Sequence, residues 1–168
     1  MPEPIALTHV VEQLAAALKQ RGWMLATAES CTGGLIAAAC TDLPGSSAWF
    51  DRGFVTYSNA AKIEMLGVPE ALIAQHGAVS EAVVRAMAQG AVQHSKAQVS
   101  ISVSGVAGPG GGSVDKPVGT VWVAWQVQSK LTAQRMRFAG DRSTVRTQAI
   151  SFALKHCFQA IQANSQRQ

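Results

Sequence analysis

The chain has 168 residues, of which 48% are hydrophobic and only 14% are charged. A chain of this length and composition can form one buried core, but it is too short for two ordinary domains with a linker. Its net charge is +4, but the lysines and arginines are scattered, without the basic runs or aromatic-interleaved basic faces of nucleic-acid binders. We therefore expect no nucleic-acid partner, a locally positive pocket for a small anion, and a neutral surface partly covered by another copy of the chain in a homo-oligomer.

The N-terminal part of the chain predicts a helix, a strand and a second helix. Apolar residues recur at helical spacing from Ile5 to Arg21, where Gly22 supplies a stop. Residues 23–27 are typical of a short buried strand, and the apolar run 35–40 is typical of a helix. A turn of small residues, 29–34, joins them, and this order opens an α/β unit.

The middle of the chain predicts a loop over residues 44–47, a strand over Trp49–Tyr57 and a helix over Asn59–Leu66. Another helix follows Ser80, which is its expected N-cap.

The C-terminal part predicts three strands and one long helix. The strands cover 99–103, 120–127 and 131–138, the last two antiparallel to each other, and the helix covers 143–162, capped by Asp141 or Ser143. Together the elements indicate the α/β class. We expect a single three-layer α/β/α domain over residues 1–168, in which a mixed sheet carries helices on both faces.

The turn Glu29-Ser30-Cys31-Thr32-Gly33-Gly34 lies between a predicted strand and a helix. Free N–H groups at a helix start make an anion site, and glycine lets the backbone approach a phosphate. The turn is also explained by an ordinary capped helix start, with Ser30 or Thr32 as the cap.

Ser46 and Ser47 precede the predicted strand, and Tyr57 and Lys62 follow it. A serine needs a base to become a nucleophile, and a lysine with a lowered pKa can be that base. Loop, strand and helix start could bring these side chains to one rim of the sheet. The alternative is two turn serines, a strand aromatic and a solvated lysine.

Residues 104–113 are the most glycine-dense part of the chain and leave the end of a predicted central strand. Ligands bind at such strand ends in open α/β sheets, although a merely flexible connection would look the same. Arg142 and Arg146 lie one turn apart at the start of the last helix. They could grip a phosphate or be solvated surface charges.

The three cysteines, Cys31, Cys40 and Cys157, form no CxxC pair and have no histidine at ligand spacing. The sequence therefore predicts reduced thiols in a cytoplasmic protein, with neither a disulfide framework nor a metal site. The first residues lack a charged segment followed by an apolar run, and no stretch has bilayer length. We expect neither secretion nor a membrane partner.

Eight motifs in order resemble the C-terminal domain family of the competence/damage-inducible protein CinA. They are Ala28–Gly34, Gly45–Phe50, Gly53–Asn59, Lys62, His76–Ser80, Ser104–Pro109, Lys116–Val121 and Gly140–Arg142. Members that stand alone at this length resemble nicotinamide-nucleotide amidohydrolases, which convert nicotinamide mononucleotide and water to nicotinic acid mononucleotide and ammonia. The resemblance thus implies a hydrolase of a non-peptide C–N bond, acting in pyridine nucleotide recycling without a metal or cofactor.

By this resemblance Ser47 is the nucleophile, Lys62 its general base and Tyr57 a hydrogen-bonding assistant of the pair. The nucleotide would be held by residues of three segments: Ser30, Thr32, Gly33 and Ser46, then Ser104 and Gly105, then Arg142 or Arg146. Backbone N–H groups near Ser46 and Ser47 or in the glycine-rich segment would stabilise the oxyanion.

Two other functions remain open. One is a non-catalytic pyridine-nucleotide sensor or partner-binding module, which would not need Ser47, Tyr57 and Lys62 together. Nucleic-acid binding is the other, and the scattered charge disfavours it.

Overall fold

The computed structural model describes residues 4–165 of the chain. It contains a five-stranded sheet and six helices. The strands are β1 Leu25–Glu29, β2 Phe50–Val55, β3 Val99–Gly105, β4 Thr120–Val127 and β5 Lys130–Arg137. The helices are α1 Pro4–Arg21, α2 Leu35–Thr41, α3 Asn59–Leu66, α4 Glu70–His76, α5 Glu81–Gln93 and α6 Arg142–Ser165. No helix among these residues is both long and apolar enough to cross a membrane.

The strand order is β2-β1-β3-β4-β5, with β1 parallel to both β2 and β3 and the last two pairs antiparallel. The predicted mixed α/β sheet is therefore confirmed. Because β1, β2 and β3 run the same way, their carboxyl ends at Glu29, Val55 and Gly105 share one edge of the sheet. The residues that follow these three strands meet there.

Helices cover both faces of the sheet, as predicted. On one face α1, α2 and α6 pack on an apolar cluster that includes Leu14, Leu18 and Leu154. On the other, α3 and α5 pack on a cluster built around Met87 and the small residues of β1. Small strand residues let this second layer approach closely, so the central strands β1 and β3 are buried on both sides.

The structure confirms the strand predicted over 99–103, which continues to Gly105, and every residue of 99–103 is buried. Its serines face α5, where Ser100 donates to the carbonyl of Ala88 and Ser102 to that of Val84. Helix α4 was not predicted, because its seven residues follow a proline and are too few to show helical periodicity.

The three thiols Cys31, Cys40 and Cys157 are free and buried. Cys40 in α2 and Cys157 in α6 both belong to the larger apolar cluster. Burial raises the pKa of both, that of Cys40 to about 12.

Candidate active site

Ser30 and Lys62 form the centre of a small cavity at the carboxyl edge of the parallel strands. Ser30 is the first residue after β1, and its N–H donates to Val103 of the neighbouring strand β3. The cavity has a volume of about 230 Å³. Its lining residues are Ser30, Cys31, Tyr57, Asn59, Lys62, Ala78, Val79, Ser104, Gly105, Ala107 and Arg142.

Lys62 lies in the first turn of α3, whose N-cap Ser58 accepts a hydrogen bond from the N–H of Ala61. The lysine is only 1% exposed, so it is not the solvated helix lysine of the alternative interpretation. Its Nζ lies 3.1 Å from Ser30 Oγ and 2.8 Å and 3.2 Å from the carbonyl oxygens of Thr56 and Tyr57. No carboxylate in residues 4–165 forms an ion pair with it.

Burial lowers the pKa of Lys62 below its ordinary value of 10.5, and the nearby Cys31 thiol opposes this effect to a lesser extent. Desolvation disfavours the ammonium form when no carboxylate compensates for it. Lys62 Nζ donates to Ser30 Oγ and to the carbonyl oxygens of Thr56, Tyr57 and, at 3.5 Å, Ser58. The Ser30 hydroxyl itself donates to the Tyr57 carbonyl at 3.4 Å. A neutral amine keeps two N–H donors for the carbonyls, and its lone pair can then accept the Ser30 hydroxyl proton. This arrangement is suited to removing the hydroxyl proton.

Ser46 and Ser47 lie at the opposite edge of the sheet. They form a 3₁₀ turn just before β2, beside the start of β1, where Leu25 donates to the Trp49 carbonyl. A six-residue strand such as β2 separates them from Lys62, and at about 3.3 Å per residue it spans roughly 16 Å. Tyr57 and Lys62 line the same cavity, but Ser47 lies at the other end of β2, so the structure does not bring Ser47 to the rim that they share. This geometry gives no support to the predicted roles of Ser47 and Ser46.

Glu29 fixes the turn that carries Ser30. Its carboxylate is 1% exposed and accepts from Thr32 Oγ1 at 2.6 Å and from the N–H groups of Ile36 and Ala37 at the start of α2. The Thr32 hydroxyl is thus committed to Glu29 instead of facing the cavity. Sequence reasoning missed this carboxylate, although an acid ending a buried strand just before a helix start was the available signal.

Gly33, also predicted to bind the nucleotide, lies behind the turn. The nearest atom to a side chain built at this position would be Nη2 of Arg146, at 3.5 Å. Neither Gly33 nor Thr32 lines the cavity. The backbone N–H groups of Cys31 and Thr32 donate to no backbone carbonyl within residues 4–165.

Tyr57 contributes to the serine–lysine pair through its backbone. Its carbonyl oxygen accepts from Lys62 Nζ, while its ring is 61% exposed and its hydroxyl accepts from Arg142 Nη2 at 3.2 Å. The predicted assistance by the tyrosine hydroxyl is therefore not observed, since the hydroxyl contacts neither Ser30 nor Lys62.

Arg142 and Arg146 occupy different environments. Arg142 lines the cavity, and its other nitrogen donates to the carbonyl of Gly108 in the glycine-rich loop, residues 104–113. Arg146 donates to the carbonyls of Cys31 and, at 3.5 Å, Thr32, so it braces the turn from behind. Both line a second cavity of about 670 Å³. This second cavity borders the first at Ala107 and Arg142.

Other predicted residues are at the site. Ser104 and Gly105, at the end of β3, line the first cavity, and their predicted contact with the substrate stays a prediction. Ala107 of the glycine-rich segment lines it too, and so do Asn59, Ala78 and Val79, which were not predicted. Ala78 and Val79 follow the unpredicted helix α4 and lie in the His76–Ser80 motif, to which the sequence analysis gave no chemical role. Within the described part of the chain, no three histidine, cysteine or carboxylate side chains cluster as they would around a metal ion.

Comparison with known proteins gives consistent results. The family model for the CinA C-terminal domain matches residues 7–161. The chain is 57% identical over 144 residues to the nicotinamide-nucleotide amidohydrolase PncC of Enterobacter agglomerans, covering 85% of this chain and 88% of that protein. The PncC protein of Escherichia coli K12 is 52% identical over 160 residues, which cover 95% of this chain and 97% of that protein.

A solved structure has the same fold. The crystal structure of a competence-damaged protein (CinA) superfamily protein from Klebsiella pneumoniae superposes with a TM-score of 0.90 at 42% identity. The superposition covers 94% of this chain and 98% of that one.

Proposed function

This chain belongs to the CinA C-terminal domain family, and from that premise we propose that it is a nicotinamide-nucleotide amidohydrolase. It hydrolyses the carboxamide of nicotinamide mononucleotide to nicotinic acid mononucleotide and ammonia. The observation that carries this proposal is the buried contact between Lys62 Nζ and Ser30 Oγ. High identity to two named amidohydrolases over most of both chains supports the same reaction.

Ser30 replaces Ser47 as the proposed nucleophile. Its Oγ attacks the carboxamide carbon while Lys62 takes the hydroxyl proton, which gives a tetrahedral intermediate. Lys62 then returns the proton to the nitrogen as the C–N bond breaks, so ammonia leaves and an acyl-enzyme remains. Water attacks the ester with Lys62 again as the base, releasing the carboxylate product and restoring the Ser30 hydroxyl.

The backbone N–H of Cys31 is the proposed oxyanion donor, because Cys31 lines the cavity and directly follows the nucleophile. Enzymes whose nucleophile lies on a strand-to-helix turn use the N–H of the next residue in this way. The Cys31 N–H donates to no backbone carbonyl within residues 4–165. It replaces the N–H groups near Ser46 and Ser47, which lie at the other edge of the sheet.

The two adjoining cavities divide the substrate between them. The pyridine carboxamide occupies the smaller cavity beside Ser30 and Ser104, and the ribose phosphate extends past Arg142 into the larger one. Arg142 is the proposed phosphate ligand because it borders both cavities and is held by the glycine-rich loop beside them, through the Gly108 carbonyl. Arg146 lines only the larger cavity and holds the carbonyls of the turn. A guanidinium and a helix N-terminus together favour an anion there.

The test is ammonia release from nicotinamide mononucleotide by the purified protein after EDTA treatment, with the nucleotide product identified by mass. We expect stoichiometric ammonia and nicotinic acid mononucleotide. Release of free nicotinamide or absence of any product would contradict the proposal. Loss of activity on EDTA treatment, restored by a divalent metal, would contradict the metal-free mechanism.

A further inference from the structure

Two sequence motifs that the proposed mechanism does not use meet beside the first cavity. One is His76–Ser80, at the end of α4, and the other is Lys116–Val121, after the glycine-rich loop. Lys116 Nζ donates to the carbonyl oxygen of His76 at 2.6 Å, although the residues are 40 positions apart. This carbonyl ends α4, where a cation satisfies an orphan acceptor and favours the helix dipole.

Gly77 leaves the space that the Lys116 ammonium occupies. A Cβ built at Gly77 would lie 2.9 Å from Lys116 Nζ, and the residue has a φ of 75° that favours glycine. The next turn is fixed as well, because Ser80 Oγ donates to the Gly77 carbonyl and accepts from the N–H of Val83. We call residues 77–80 the α4–α5 connection.

The turn that carries Lys116 is also held in place by hydrogen bonds. The backbone N–H of Lys116 donates to Ser113 Oγ, and its carbonyl accepts from the N–H of Ser113. Arg135 of β5 donates to the carbonyl of Asp115 at 2.8 Å. Lys116 therefore connects a braced turn beside the sheet to the end of α4.

The α4–α5 connection forms one wall of the cavity. Ala78 and Val79 line it together with Ser30 and Lys62. The backbone N–H groups of Ala78 and Val79 donate to no acceptor within residues 4–165, so they are available to a ligand. Any displacement of His76 or Gly77 moves this wall relative to the nucleophile.

We propose that Lys116 is a positioning residue for substrate binding, which holds the Ala78–Val79 wall in place through the carbonyl of His76. The inference rests on the proposed amidohydrolase function for its kinetic consequence. Because the wall contacts the substrate in the ground state and in the transition state alike, its displacement weakens binding without slowing the chemical step.

The test compares Lys116→Met, which keeps the aliphatic length but loses the donor, with Lys116→Arg, which keeps a charged donor. Lys130→Met is the matched control, since it removes the same charge from an exposed residue at the start of β5. Steady-state kinetics with nicotinamide mononucleotide are measured together with hydrogen exchange of the Gly77 amide, which closes the last turn of α4 on Ile73.

For Lys116→Met we expect a KM raised roughly tenfold, in line with the loss of one charge-assisted hydrogen bond, and a kcat within about twofold of the parent. The Gly77 amide should exchange faster. Lys116→Arg should restore most of both properties, and Lys130→Met should resemble the parent.

Two results would overturn the inference. A raised KM with unchanged exchange at Gly77 would make Lys116 a direct substrate ligand. Faster exchange at Gly77 with an unchanged KM would make the hydrogen bond from Lys116 to the His76 carbonyl purely structural. If the parent lacks the amidohydrolase activity, the proposed function fails. Unchanged exchange at Gly77 in Lys116→Met would separately refute the role of the hydrogen bond between Lys116 and the His76 carbonyl.

Discussion

Lys62 reaches Ser30 from 32 positions further along the chain, and its Nζ lies 3.1 Å from the serine oxygen. The contact depends on the parallel pairing of β1 and β2, which returns the chain to the same edge of the sheet after each strand. Among residues 4–165, no carboxylate forms an ion pair with the lysine. Instead, backbone carbonyls that follow β2 hold its nitrogen.

Ser30→Ala should abolish ammonia release, with a loss of at least about 10³-fold in kcat, because among residues 4–165 no other hydroxyl contacts Lys62 Nζ. Ser47→Ala is the matched control at the other edge of the sheet and should keep activity close to the parent. Ammonia assays on both variants, with circular dichroism to verify folding, decide the assignment. Active Ser30→Ala together with inactive Ser47→Ala would restore Ser47 as the nucleophile.

Lys62→Arg should be as inactive as Lys62→Met, although it keeps the positive charge. An arginine stays protonated at any working pH and cannot accept the serine proton. We expect a fall in kcat of at least about 10²-fold in both variants, the lower bound typical of losing a general base. Because Lys62 is buried, the thermal unfolding of both variants should be measured as well, to separate a loss of kcat from a loss of stability. Substantial activity in Lys62→Arg would show that charge, not proton transfer, is what the site needs.

The pH dependence of kcat/KM should show an ascending limb with an apparent pKa below 10.5. Burial lowers the pKa of Lys62, so its neutral, basic form grows as pH rises through that lowered value. Cys31 is not the source of this limb, because burial raises the pKa of its thiol to about 11. Cys31→Ala should therefore retain the limb, and its disappearance in this variant would contradict the assignment to Lys62.

The same lowered pKa predicts how stability changes with pH. The folded chain binds fewer protons at Lys62 than the unfolded chain, so the free energy of unfolding rises with pH between the lowered pKa and about 10.5. Lys62→Met lacks this contribution. As pH increases, the free energy of unfolding of the parent should therefore rise relative to that of the variant. Urea titrations at several pH values measure it, and a difference independent of pH would contradict a lowered pKa.

Arg142→Ala should raise the KM for nicotinamide mononucleotide roughly tenfold through loss of a charge-assisted contact with the phosphate, with little change in thermal stability. Arg146→Ala should instead lower thermal stability and kcat, because the carbonyls of Cys31 and Thr32 lose their donor behind the nucleophile turn. Kinetics and melting curves separate the two arginines. The reverse pattern would assign the phosphate to Arg146.

Much of the fold was predictable because local signals agree with it. Helix α3 covers Asn59–Leu66 as predicted, since a serine N-cap and a glycine stop mark its two ends. Strand β4 also has its predicted bounds. For α6, the cap left open between Asp141 and Ser143 is Asp141, whose carboxylate accepts from the N–H of Thr144.

The sequence prediction placed Ser47 beside Lys62 because a motif records which residues occur, not which edge of the sheet they occupy. Ser47 precedes β2 and Ser30 follows β1, and in a parallel pair those positions lie at opposite edges. The strand predicted over Trp49–Tyr57 already separated Ser47 from Lys62 by the length of one strand. The outward turn of Tyr57 and the bracing role of Arg146 depend on side-chain packing between distant segments, which spacing along the chain does not encode.

Two of the three thiols in the larger apolar cluster, Cys40 and Cys157, make its opening observable by chemical labelling. Cys40 and Cys157 lie on different helices of one layer, both without exposed surface. An alkylating reagent therefore reaches them only when α2 or α6 separates from the sheet. Their rate of labelling thus measures how often this helical layer opens. The same separation from solvent protects both sulfurs from oxidation for as long as the chain stays folded.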